Sequence, residues 1–430
     1  MILVSKKVEV LALGAGPANL ALGVAMEEMA ADELAEHTVI AEAHGSVAWQ
    51  RGMLLPWTQS QVSFLKDLVT LRNPRSRFSF VNYLHSVGRL DEFINLGTFT
   101  PYRQEISNYL SWVAESLSSV RIAYGKRATE VYPRRTRGGR VEGWETRFTD
   151  GTTTESRDVV IGIGREALIP DALADLPDDR VFHSGQYTER IAGVDPASVR
   201  RIVVVGGAQS AAELVWAAHQ GFPSAETTMI MRSIGLKNYE SSKFTNEIFY
   251  PSFIDEFHEA GPEARRQLLG EMHLSNYGGL APAMLDTLYR QRYLERLSGQ
   301  ERLRLLTMTD ISAARLDGDE VVLSLTNRRT GLAEELRCDL ILLGTGFRGT
   351  MPTLVRNLAR ELGLKDITVD RGYRLHVPDR DGASCYLQGV NEATHGIADS
   401  LLSVLASRSG DIVGGMLADR RKAPALVDLA

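Results

Sequence analysis

Cysteine is nearly missing: Cys338 and Cys385 are the two thiols of a 430-residue chain. Two cannot build a disulfide framework or a four-thiolate zinc site, and neither lies in a Cys-x-x-Cys or Cys-x4-Cys pair. Thiol redox chemistry is therefore disfavoured, and a reducing cytoplasm is the expected location. The nine histidines never fall at metal-ligand spacings, which predicts no zinc or iron site. No uncharged apolar run is long enough to span a bilayer as a helix. The opening segment MILVSKKVEVLALGAG lacks the basic, apolar and cleavage regions of a signal peptide. An excess of basic charge is missing too. Against 54 Asp and Glu stand 48 Lys and Arg, a formal charge of −6 that leaves no footprint for nucleic acid or an anionic membrane.

What remains is a chain with 44% hydrophobic and 24% charged residues, a soluble globular composition with the length of two or three domains. The run Val8–Leu13 reads as a strand, Gly14-Ala15-Gly16-Pro17-Ala18-Asn19 as a turn, Leu20 to about Met29 as a helix and His37–Glu42 as the next strand. The same order recurs with strand Arg201–Val205, turn Gly206-Gly207-Ala208-Gln209-Ser210, helix Ala211–Gln220 and strand Thr227–Met231. Between them, residues 140–165 read as a β meander turning at Asp150-Gly151. Residues 240–300 read as a helical lobe, and Leu401 to Met416 as a final helix. The expected fold is α/β, with two Rossmann-like dinucleotide-binding domains. Residues 1–170 and 340–430 would form an FAD domain. Residues 171–339 would form an NADPH domain inserted into it, containing the 240–300 helical lobe.

In the first turn, Gly14 permits the tight strand-to-helix reversal, and Gly16 lets backbone N–H groups approach a pyrophosphate at the helix start. Asn19 occupies the third glycine position of the fingerprint, and Glu42 could accept from a ribose hydroxyl. The second turn puts the Ala208 methyl where the backbone should come closest, while Gln209 and Ser210 can still donate from the helix start. Arg232, where a ribose-binding acid would stand, favours a 2′-phosphate and so NADPH over NADH. Two such sites suggest a flavin and a nicotinamide with a hydride passing between them.

The segments GAGPANLAL, WQRGMLLP, QVSFLKDLVTLRNPRSRFSFVNYL, GGAQSAAE, TNEIF, SNYGGL, the stretch from Asp339 through Gly344-Thr345-Gly346-Phe347 to Pro352, and NEATHGIADSLLS resemble the microbial L-ornithine N5-monooxygenases. These are FAD- and NADPH-dependent N-hydroxylating enzymes of siderophore biosynthesis. The likeness runs from about residue 8 to residue 415, and the lysine N6-hydroxylases and diamine hydroxylases are the alternatives. It implies that the 240–300 lobe is a small substrate-binding unit, that Lys66 and Asn246 hold the substrate carboxylate, and that Asn276 lies near both the amino acid and the nicotinamide ribose. Gln61 would sit beside the isoalloxazine and Arg103 would face flavin and nicotinamide. Gln209, Ser210 and Arg232 match NADPH contacts, with Gly206 in the turn below them. Gly14, Gly16, Pro17, Asn19, Glu42 and Trp49 belong to the flavin side. Asp399 and Ser400 fall in the segment that closes over flavin and substrate. Gln50, Ser60, Phe347 and Ala208 depart from the family's common residues.

The family chemistry has NADPH reduce the flavin, O2 add to give a C4a-hydroperoxyflavin, and the neutral side-chain amine attack the distal oxygen. No general base and no metal are expected, and a homo-oligomer is. The spacing of Phe64, Leu65, Leu68 and Leu71 suggests a helix burying one stripe, with Lys66 leaving it on another.

Overall fold

Val10 and Ala12 point to one face of the opening strand and Leu11 and Leu13 to the other, yet all four are buried. A strand apolar on both faces belongs inside a parallel sheet covered by helices. The computed structural model describes residues 6–422. Residues 1–5 and 423–430, which belong to the expected opening segment and first domain, lie outside the described residues.

The strand β1 (Lys6–Leu13) runs into α1 (Pro17–Met29) and β2 (Thr38–Ala41). Helices α2 (Phe80–Ser86), α3 (Leu90–Leu96) and α4 (Arg103–Ser116) precede β3 (Arg121–Ala123). The meander follows as β4 (Ala128–Arg135), β5 (Val141–Phe148) and β6 (Thr153–Ile161). A second unit begins with β7 (Val181–His183), α5 (Tyr187–Ile191), β8 (Arg201–Val205), α6 (Gln209–Gly221) and β9 (Glu226–Ile230). A helical excursion, α7 (Phe253–Glu259), α8 (Pro262–Glu271) and α9 (His273–Asn276), returns through α10 (Pro282–Ser298) to β10 (Leu303–Leu306). Then come β11 (Thr309–Asp317), β12 (Glu320–Asn327), β13 (Ala333–Cys338) and β14 (Leu340–Leu343). The chain closes with α11 (Thr353–Glu361), β15 (Ser384–Leu387), α12 (Glu392–His395) and α13 (Leu405–Lys422).

One sheet has the order β3-β2-β1-β6-β5-β4, with β15 also beside β6. Its β1, β2, β3, β6 and β15 run parallel, and β4 and β5 continue antiparallel from β6. The second sheet, β10-β9-β8-β14-β7, is parallel throughout, and β11-β12-β13 forms a separate antiparallel sheet. After β1 the chain moves to β2 on one side while β6 lies on the other. After β8 it moves to β9, with β14 opposite. Each glycine turn thus sits where the strand order reverses, the place where open α/β sheets bind ligands.

Three expectations are corrected. The return to the first domain does not come at residue 340, because β14 pairs with β8 and β7 and completes the second sheet. The lobe ends before 300, because Met284 and Leu288 of α10 join the core of the second sheet, making α10 a crossover helix. The last helix starts at Leu405, after short 3-10 turns at Ile397–Ser400 and Leu402–Val404, and runs to Lys422. Among the described residues no helix is long and apolar enough to cross a membrane. Cys338 and Cys385 are unpaired, each buried in a different sheet, and burial pushes the Cys338 thiol up to about 12.

Candidate active site

The first turn is built for a close approach. Gly14 adopts φ +90°, and a Cβ there would lie 2.9 Å from the Gly162 carbonyl oxygen, so only glycine fits. A Cβ on Gly16 would meet nothing within 4 Å, leaving open space over the start of α1. Gly16 is the N-cap without a side-chain cap, and Pro17 opens the helix. The N–H groups of this first turn therefore face a space that a pyrophosphate fits. Glu42 is oriented beside it, with Oε2 accepting the Ala15 N–H at 2.7 Å and Oε1 the His44 N–H at 2.9 Å. The His44 Nδ1 also lies 2.7 Å from Oε1, and a carboxylate keeps acceptor capacity beyond these three contacts, so a ribose hydroxyl can still be taken. Asn19, expected at the cofactor, is instead fully buried. Its amide donates to the Leu13 and Gly14 carbonyls and accepts from Gln388, so it shapes the turn from beneath.

The second turn repeats the geometry. Gly206 has φ +138°, and a Cβ would lie 2.4 Å from the Gly344 carbonyl oxygen, pressing β8 against the end of β14. Ala208 is the uncapped N-cap of α6, and Ser210 stands half-buried in that helix's first turn. The Gln209 side chain is engaged within the protein. Its Nε2 donates to Glu213 at 2.8 Å and its Oε1 accepts the Ala281 N–H at 2.8 Å, leaving its backbone N–H for a phosphate. Arg232 is exposed after β9, and among the described residues no acid pairs with it.

Arg103 reaches toward the second domain. Its guanidinium is buried and makes a bidentate pair with Glu213 at 2.7 and 2.6 Å, linking α4 of the first domain to α6 of the second. Trp49 packs on the first core with its N–H donating to Ser107, and Gln61 is exposed.

Lys66 lies in irregular chain, not on a helix. The physical reason is Asp67, whose carboxylate accepts the N–H groups of Val69, Thr70 and Phe80 and the Thr70 hydroxyl. An acid that captures nearby N–H groups competes with helical bonding. Only part of the predicted stripe is buried: Leu68 is in the core, while Leu65 and Leu71 are exposed. Burial lowers the pKa of the Lys66 ammonium, which an incoming carboxylate would restore by stabilising its charge. The ammonium lies 5.9 Å over the Phe249 ring, within cation–π reach. Phe249 ends the Thr245–Phe249 turn that also carries exposed Asn246, so Lys66 lies over the turn that bears the second expected carboxylate anchor.

The same turn packs on the closing segment, with Phe249 against Ile254, Ala398 and Val404. Asn276 is half-buried at the end of α9, and the next residue, Tyr277, reaches across to that segment. Its hydroxyl bonds to Glu392 and lies 3.4 Å from Ser400 Oγ, while Arg165 pairs with Glu392 at 3.1 Å. Ser400 is exposed here. Asp399 is not available to a ligand, being fully buried against Arg408. Phe249, Tyr277 and Glu213 carry no expected role from the sequence, although they lie in TNEIF, SNYGGL and GGAQSAAE. Gln388 and Arg408 fall in none, and nothing local marks them.

The family model described as L-lysine 6-monooxygenase/L-ornithine 5-monooxygenase matches residues 6–349. An L-ornithine N(5)-oxygenase of Arthrobotrys oligospora is 37% identical, covering 95% of this chain and 88% of its own. The ornithine hydroxylase from Pseudomonas aeruginosa superposes with a TM-score of 0.89 at 34% identity, covering 96% of this chain and all (100%) of that one. An ornithine N-hydroxylase from Kutzneria sp. 744, solved with reduced FAD, NADP+ and L-orn, gives the same TM-score of 0.89 and 34% identity, over 97% and 100% of the two chains.

Proposed function

The chain belongs to the L-lysine 6-monooxygenase/L-ornithine 5-monooxygenase family, and from that premise we propose that it uses FAD and NADPH to hydroxylate the N5 side-chain amine of L-ornithine, in the cytoplasm, for a siderophore or related natural product. The observation that carries this reading is the meeting of Lys66 with the Thr245–Phe249 turn. A cation that burial keeps from full hydration lies over the turn that carries the exposed Asn246 amide, a combination suited to an amino-acid carboxylate. The first glycine turn fits the FAD pyrophosphate and the second, with exposed Arg232, fits NADPH.

Bound FAD, once reduced by NADPH, supplies the dioxygen chemistry: one oxygen atom enters the amine as N–OH and the other leaves as water. The chain's own residues position and protect. Lys66 and Asn246 hold the carboxylate end, which fixes how far the amine reaches. Tyr277, Glu392 and Arg165 hold the lobe against the closing segment and so limit water entry over Ser400. One methylene in an apolar pocket discriminates by only about 1–3 kcal/mol, so selection of ornithine over lysine rests on placing the amine. The test is NADPH and NADH oxidation with product analysis for L-ornithine, L-lysine and putrescine. N5-hydroxyornithine formed with NADPH well above NADH is expected. Peroxide release without any hydroxylated amine would end the reading, hydroxylated lysine alone would move the substrate, and equal rates with NADH would remove the role of Arg232.

A further inference from the structure

A line of buried hydrogen bonds runs from the first glycine turn to the segment bearing Ser400. Asn19 Nδ2 donates to the Leu13 and Gly14 carbonyls, each at 2.8 Å. Its Oδ1 accepts from Gln388 Nε2 at 2.8 Å. Gln388 Oε1 accepts from Arg408 Nε at 3.1 Å, and Arg408 Nη1 donates to the Asp399 carbonyl at 2.6 Å and to Oδ1 at 3.1 Å. The other Asp399 oxygen accepts the Asn391 N–H at 2.7 Å. None of the four side chains from Asn19 to Asp399 is more than 1% exposed.

The polarity of this line is fixed. Two carbonyls at one end and a guanidinium at the other leave each amide a single orientation, so a break strands a buried donor or acceptor. Its far end leads to the substrate anchors, because Phe249 packs on the small core that Ala398 forms with Ile254 and Val404, and Lys66 lies over that ring. We propose that Gln388 and Arg408 are positioning residues for the hydroxylation, tying the setting of the Ile397–Ser400 turn, and through Phe249 that of Lys66, to the glycine turn that holds the flavin dinucleotide. The inference rests on the function proposed above. Neither residue touches a reacting atom, so the defect on losing one belongs in coupling, not in flavin reduction.

Four variants of the full-length, flavin-loaded enzyme test it. Gln388→Glu keeps the acceptor toward Arg408 and removes the donor toward Asn19. Gln388→Met removes both without adding charge. Arg408→Lys keeps the charge but loses the fork, and Arg408→Met loses both. Per mole of bound flavin, reduction by NADPH should stay within about twofold of wild type, while hydroxyornithine formed per NADPH falls about fivefold, the factor one internal hydrogen bond commands. Peroxide release should rise to match, and Arg408→Lys should retain more coupling than Arg408→Met. An unchanged product ratio in the variants that hold flavin, or loss of flavin and fold in all of them, would show the line to be scaffold alone and overturn the proposal. A wild-type enzyme that hydroxylates no amine would be seen before any variant is compared, and would remove the underlying function as well.

Discussion

Lys66 shows how little a single side chain declares by itself. In isolation it is one more lysine in an irregular stretch. Its meaning comes from Asp67, which bends the chain, and from Phe249, which receives the ammonium. Burial pushes the Asp67 carboxyl up, against the hydrogen bonds from Val69, Thr70 and Phe80 that pull it down, so the turn sits in a shielded setting. Replacing Lys66 with alanine should raise the KM for L-ornithine about 10- to 100-fold, the loss expected for one charge-assisted contact. Flavin reduction by NADPH, followed by stopped-flow absorbance, should be nearly unchanged. A KM equal to wild type would take Lys66 out of the substrate site. Asn19 teaches the converse. A residue read as a ligand contact is turned inward, because a strand-to-helix reversal leaves carbonyls that some donor must satisfy.

At the scale of elements, the short α12 and the start of α13 are held by stacked and buried polar groups. The His395 ring lies 4.1 Å from that of Tyr373, with Arg408 5.6 Å over the same tyrosine. Burial lowers the His395 pKa from its ordinary value near 6.5 to about 4, so the imidazole is neutral in the fold. A depressed folded value means that the unfolded chain binds the proton more readily. The stability from this group is therefore complete above about pH 6.5 and is lost as pH falls toward 4, by at most about 3 kcal/mol. The unfolding midpoint should drop more steeply across pH 6.5 to 4 in the wild type than in His395→Gln. Parallel curves would show that His395 is not the titrating group.

Across the whole molecule, the two dinucleotide units are clamped by Arg103 and Glu213, with Gln209 and the Ala281 N–H attached to the same carboxylate line. Removing one partner of a buried pair strands the other charge, at a cost of about 3–5 kcal/mol. Glu213→Ala should therefore lower the unfolding midpoint of the holoenzyme clearly, and Glu213→Gln, which can still accept a hydrogen bond, by less. An unchanged midpoint in Glu213→Ala would show that the clamp does not hold the domains. The arrangement also commits both terminal nitrogens of Arg103 to a carboxylate of the neighbouring domain.

Both strand–turn–helix units could be read from the chain, because buried parallel strands need apolar runs and the reversals at Gly14 and Gly206 need positive φ. Those constraints are local, so local residues declare them. The order of the strands, the capture of β14 by the second sheet and the joining of α10 to its core depend on which surfaces meet, and no window of sequence contains that information. The same division holds at the site. The motifs carrying Lys66, Asn246, Asn276 and Ser400 stand out along the chain, but their convergence on Phe249 and Tyr277 is a product of folding. So is the path from Asn19 to Asp399, whose partners lie up to 369 residues apart, since a buried hydrogen bond depends on distance in space and orientation and not on separation along the backbone.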